Sequence, residues 1–163
     1  MCPKSSLGVM LPVLVVLAGC GSAADSLINR HTREMNNLAA ALESGKKESD
    51  LKAIDDRIDA ALRELDELNL SVDEKKALGN AHAKSLGQAM KRLAAAAVDR
   101  AGPAPTLLYD DLKDRAQEAL EAMAGKMESG FSSERQEVID DLPLFHEQVR
   151  VLRQFREEWN RTR

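Results

Sequence analysis

The chain reads as an all-α protein, an antiparallel helical bundle of four to five helices made of two αα-hairpins. Three observations predict it. Apolar residues recur at alternating spacings of three and four through most of the 163 residues. Ser71 with Glu74 and Ser133 with Gln136 match capping boxes, the signature of a helix start. No segment alternates apolar and polar residues with the period of two that a half-buried strand requires.

The first amphipathic segment runs from about Asp25 to Ser44, with Ile28, Met35, Leu38 and Leu42 on one face, and Gly45 interrupts it. The second, from about Ser49 to Asn69, carries the cleanest seam: Leu51, Ile54, Ile58, Ala61, Leu65 and Leu68. The tight turn at Asn69 and Leu70 then predicts that residues 49–101 form one hairpin, its second helix being Val72 to Ala101 with Leu78, Leu86, Met90, Leu93 and Ala97 inward. Ala94 to Ala97 give that helix a narrow surface suited to close approach. Gly79 and Gly87, each costing about 1 kcal/mol relative to alanine inside a helix, point either to a neighbour packed on them or to a loose helix, the first being favoured.

Gly102, Pro103, Ala104 and Pro105 form the strongest internal break and a candidate hinge, because glycine suits a left-handed cap and proline cannot continue a helix. Thr106 is placed to cap a fourth helix reaching about Ser129, with Leu108, Leu112, Ala116, Ala119, Met123 and Met127 on one side. A fifth helix follows the Ser133–Gln136 box to near Asn160, through Val138, Leu142, Phe145, Val149, Leu152 and Trp159. Pro143 predicts a kink or break after Leu142. Phe131, Phe145, Phe155 and Trp159 all fall in this last part, so it is expected to supply much of the C-terminal core.

Ahead of the helices stand Lys4, an apolar stretch from Leu7 to Ala18, and the small residues before Cys20, in the order of a secretory signal. The apolar stretch would reach about 18 Å as a helix, well short of a hydrocarbon core of about 30 Å. Leu17, Ala18, Gly19 and Cys20 resemble the lipobox of bacterial lipoproteins. The resemblance implies diacylglyceryl transfer to the Cys20 sulfur, cleavage between Gly19 and Cys20, and a mature protein held at the membrane by its acyl chains, two or three of which give essentially permanent attachment. On this reading residues 1–19 are the signal peptide, 20–24 the acylated cysteine and a short tether, and 25–163 the helical domain. By the same resemblance Gly21, in place of the aspartate that signals inner-membrane retention, favours the outer membrane, facing the periplasm. Between about Met35 and Leu93 the chain also resembles short alanine- and charge-rich helical proteins secreted by planctomycete-like bacteria, which implies no activity.

Loss of Lys4 would leave 22 Lys and Arg against 27 Asp and Glu, an acidic domain without overall attraction for nucleic acid or anionic lipid. Cys2 would leave with the signal, so neither a disulfide nor a free thiol is expected.

Little in the sequence carries chemistry. His31, His82 and His146 stand alone, and the residues three before them, Ile28, Gly79 and Pro143, lack the glutamates of a di-iron bundle. Motifs for zinc, haem, hydrolase, nucleotide and EF-hand chemistry are missing, so no catalytic residue, metal or cofactor is expected. The pairs Asp55–Asp56, Asp110–Asp111 and Asp140–Asp141 diverge by about 100° on a helix and read as solvated faces. Arg150, Arg153, Arg156, Arg161 and Arg163 make the C-terminal end basic. They complement the helix dipole, and Arg150, Arg153 and Arg156 are also a candidate anion-binding patch for lipid phosphates or an acidic partner. Met90, Met123 and Met127 read as core filler or adaptable binding surface.

The function these features predict is a non-catalytic interaction or structural module, lipid-anchored in the cell envelope and pairing with an envelope protein or with itself. The alternative is a periplasmic chaperone-like or envelope-stress protein holding apolar clients. An enzyme whose residues converge only in three dimensions ranks below both. A buried polar cluster would favour the enzyme, and a wide apolar cradle the chaperone.

Overall fold

The computed structural model describes residues 13–103 and 107–161, with only the helical backbone described at 13–22, 107, 108, 156, 159 and 160. It is all-α, with five helices: α1 Val13–Glu43, α2 Glu48–Glu67, α3 Val72–Ala101, α4 Leu107–Glu128 and α5 Ser132–Arg161. No strand occurs among the described residues. Residues 104–106, including the proposed Thr106 cap and part of the candidate hinge, lie outside them.

The seams read from the sequence form the core. Ile28, Met35 and Leu38 of α1, Leu51 and Ile58 of α2, Leu86, Met90 and Leu93 of α3, and Leu142, Phe145 and Val149 of α5 are fully buried. Met90, Met123 and Met127 fill this core. Two placements differ. Leu112 is exposed, and Leu120, about two turns further along α4, is buried instead. Phe131 stands in the α4–α5 turn at 70% exposure, outside the core that the aromatic count assigned to it.

The helix pairing also corrects the sequence reading. Helix α2 packs on α1 and shares no close backbone approach with α3. Arg30 of α1 meets Glu64 of α2 at 2.7 Å and Glu34 meets Arg57 at 2.9 Å, an order that makes α1 and α2 antiparallel. Helices α4 and α5 form the second hairpin, joined by Lys126–Glu137 at one end and Tyr109–Glu158 at the other. Between the hairpins runs α3, packed against α1, α4 and α5. The reason is apolar area: α3 buries Leu78, Leu86, Met90 and Leu93 together with a set of alanines, whereas α2 has only one apolar seam and can satisfy a single neighbour. Asn69, at φ 48°, makes the turn that carries the chain from α2 to α3. The Ser71–Glu74 capping box is present, with both reciprocal bonds formed.

At the start of the chain the first helix outruns its expected limit, whereas the last ends at Arg161, near where the sequence placed it. Helix α1 begins at Val13 rather than near Asp25, so the residues expected to form a spacer, 21–24, are helical and continuous with the domain. Helix α5 starts at Ser132, where the backbone N–H of Arg135 donates to the Phe131 carbonyl at 3.4 Å, so Ser133 lies inside the first turn and not at its cap. The same helix passes through Pro143 without a break. A proline inside a helix costs about 3 kcal/mol, and here Ile139, Leu142 and Phe145, buried on either side of it, hold the two halves in register.

Close contacts set the distance between α3 and the second hairpin. A Cβ on Gly79 would stand 3.0 Å from the Arg135 Cβ and 3.1 Å from the Arg135 carbonyl oxygen, and one on Gly87 would meet Glu128 and Met127 at 3.3 and 3.4 Å. Both glycines are therefore places where α3 is approached by its neighbours.

Candidate functional site

The polar groups that the sequence left scattered come together along a seam between α1, α2 and α5. His31 and His146, 115 residues apart, face each other with Nε2 to Nε2 at 2.8 Å, and both are buried. The rings meet edge to face, with centroids 4.9 Å apart, and Phe145 stands edge-on to His146 at 5.6 Å. Sequence reading missed the pair because the two histidines lie on helices far apart in the chain; their one local signal was position, each falling within an apolar helical repeat.

One nitrogen of such a pair must donate and the other accept. The His31 Nδ1 is buried without a hydrogen-bond partner. Placing the His31 proton on Nε2 leaves no orphaned N–H there, so we assign His31 Nε2–H as the donor and His146 Nε2 as the acceptor. Burial lowers the pKa of His31 from 6.5 to about 4. Burial also pushes His146 well below its ordinary value, helped by His31 and by the guanidinium groups of Arg150 and Arg153. Both rings are thus neutral at pH 7.

Next to the pair, α5 presents two arginines to α2. Arg153 is 3% exposed and bonds Asp55, with Nη1 to Oδ2 at 2.9 Å, and Glu48. Arg150 bonds Asp59 at 2.5 Å. These contacts correct two sequence readings. Arg153 is enclosed and Arg150 half-buried, each paired with an α2 carboxylate and so turned to α2 instead of an open patch; the Arg156 side chain and Arg163 lie outside the described residues. Asp55 is not a solvated carboxylate: burial raises its pKa even though Arg153 opposes the shift. Asp140, by contrast, stays on an exposed face, as read from the sequence, and bonds Lys75 there at 2.5 Å.

On α1, Glu34 is buried yet accepts from Arg57 at 2.9 Å and from Asn37 at 3.1 Å. Burial works against its ionisation, and those two partners outweigh it and hold the carboxyl below the usual range. Thr32 Oγ1 and Arg153 Nε are buried without a hydrogen-bond partner. The remaining histidine, His82 of α3, bonds Asp25 of α1 at 2.8 Å.

No cluster of three or more metal-ligating side chains occurs among the described residues. Two grooves on the described surface lie elsewhere. One, of about 600 Å³ between α3 and α4, is lined by Ala94, Ala95, Val98, Ala124 and Gly125 with charged rims, and another by Leu62, Leu65, Leu70, Ile139 and Pro143. The seam is therefore a set of internal bonds that fixes three helices together, with its imidazoles turned to each other.

Gly19 and Cys20, the residues of the lipobox resemblance, fall in the N-terminal part of α1, where only the backbone is described. Among the described residues no helix is long and apolar enough to cross a membrane. No protein-family model matches the chain, and no curated protein or solved structure shows significant similarity to it.

Proposed function

We propose that this chain is a bacterial envelope lipoprotein, anchored through acylated Cys20, whose helical domain is a non-catalytic interaction or structural module. The observation that carries the reading is the order of Lys4, the apolar stretch Leu7–Ala18 and the sequence Leu17-Ala18-Gly19-Cys20. Gly21 favours the outer membrane, with the domain facing the periplasm. The core supports the module over a client-holding cradle: the large apolar side chains pack on each other, and those standing well exposed among the described residues are Val72, Leu112, Phe131 and Leu144. The buried polar seam meets the condition set for an enzyme only in part. Its imidazoles bond each other, its two α5 arginines bond α2 carboxylates, and neither of the two grooves described is lined by His31, His146 or Arg153.

The experiment is metabolic labelling with palmitate followed by membrane fractionation. Wild type incorporates label and sediments with membranes, whereas Cys20→Ser does neither. Equal membrane recovery of the variant would overturn the anchor. In-cell crosslinking from exposed positions of α2 and α4 separates the roles: a discrete envelope protein or a second copy supports the module, and a spectrum of unfolded chains supports the chaperone alternative.

A further inference from the structure

Helices α1 and α5 share no close backbone approach, yet a side-chain hydrogen bond joins them at the His31–His146 pair. That bond exists only while the pair holds a single proton between its two Nε2 atoms. A second proton on the accepting ring would set two N–H groups against each other at 2.8 Å and leave an imidazolium buried beside two arginines. We propose that the His31–His146 pair is an acid-released latch: uptake of one proton breaks the α1–α5 bond and loosens the α1–α2 hairpin against α5, to which α2 stays joined by its ion pairs.

The charges around the pair favour release over compensation. On α5 the nearest are Arg150 and Arg153, both cationic, with Glu147 lying 3.9 Å from Arg150. The α2 carboxylates Asp55, Asp59 and Glu48 are engaged with those arginines. On α1, Glu34 is bound to Arg57 and Arg30 to Glu64 of α2. The buried residues of α3 are apolar, and so are Ala116, Leu120, Met123, Ala124 and Met127 of α4; the ionisable groups that α3 bonds to α1, His82 and Arg92, are engaged with Asp25 and Glu43. Among the described residues no carboxylate facing the pair is thus left over to stabilise a new imidazolium.

Release also has a defined direction. The contacts of α3 with α4 and α5 are largely apolar and include the Gly79 and Gly87 approaches. The α2 contacts with α5 are ion pairs. Acid therefore acts on the side of the bundle where α1 and α2 meet α5, and leaves the α3–α5 side intact.

Three measurements on the full-length chain in detergent test the latch. In imidazole-nitrogen NMR of the wild type at pH 7, His31 shows a protonated Nε2 and His146 an unprotonated one, and the two titrate together below the usual histidine value. Independent titration at the solvent value would overturn the proposal. In urea unfolding, the wild-type unfolding constant rises up to tenfold per pH unit for each proton taken up between pH 6 and 4, and the double variant His31→Leu/His146→Leu loses that slope. An unchanged slope would overturn it, and the NMR reading stands whether or not the variant folds. In hydrogen exchange at pH 4.5 against pH 7, protection falls first in α1 and α2; equal loss in α3 and α4 would show global unfolding and refute the directed release. None of these outcomes depends on the lipid anchor.

Discussion

Arg153 of α5 and Asp55 of α2 form an ion pair in which the guanidinium is almost wholly enclosed and the carboxylate keeps 15% of its side-chain exposure. The pair joins residues 98 apart in the chain and shares its arginine with Glu48. Neither partner can be removed without leaving the other in a poorly solvated position.

Arg153→Leu is therefore expected to destabilise the domain by roughly 3 kcal/mol, since removing one partner strands the other charge. The double variant Arg153→Leu/Asp55→Leu should recover much of that loss. Urea unfolding at pH 7 reads both. A double variant no more stable than the single one would show that the arginine acts through its packed stem alone.

The sequence revealed the helices more fully than their partners. Helix α3 occupies the span predicted for it, and the inward faces of α1, α2 and α5 follow directly from the three-and-four spacing, because periodicity is a local property of the chain. Pairing is not local. The short Leu68–Ser71 turn suggested an α2–α3 hairpin, but α3 has apolar surface for three neighbours and α2 for one, and only comparison of whole faces decides between them. The candidate site was less legible still. His31 and His146 carry no spacing signal, and Arg150 and Arg153 read as a solvent-facing stripe until α2 supplied Asp59 and Asp55.

Gly79→Ala should lower stability by about 1–3 kcal/mol, because the added methyl meets the Arg135 backbone carbonyl at 3.1 Å and a carbonyl cannot swing aside as a side-chain tip can. Gly125→Ala should do the opposite, raising stability by about 1 kcal/mol, since a Cβ there meets nothing within 4 Å and alanine is the better helix former. Thermal melts of the two variants in parallel check this, and shifts of the same sign would contradict the packing described.

Ser71→Ala removes the hydroxyl that accepts from the Glu74 backbone N–H and is expected to cost about 1 kcal/mol. The loss should appear as earlier fraying at the start of α3, read by hydrogen exchange of residues 72–76. An unchanged exchange rate there would mean that the neighbouring turn holds the helix end without its cap.

The pH dependence has a definite sign. His31 has a folded pKa of about 4 against 6.5 unfolded, so the unfolded chain binds its proton first and stability falls as pH drops through that interval. The shift corresponds to roughly 3 kcal/mol at this one buried group. Glu34, whose carboxyl is held below 4.5, adds a loss that begins only at more acid pH. Melting temperatures recorded from pH 7 to 3 should fall in the histidine interval before the carboxylate one. A flat profile between pH 6.5 and 4.5 would contradict the neutral, buried state of the pair.

The central claim is the anchor, and the mass of the mature amino terminus tests it most directly. Protein extracted from membranes and analysed intact should lack residues 1–19, begin at Cys20 and carry a diacylglyceryl group on its sulfur, with a further acyl chain where the new amino group is also modified. A mature chain that keeps residues 1–19, or that carries an unmodified Cys20, would contradict it.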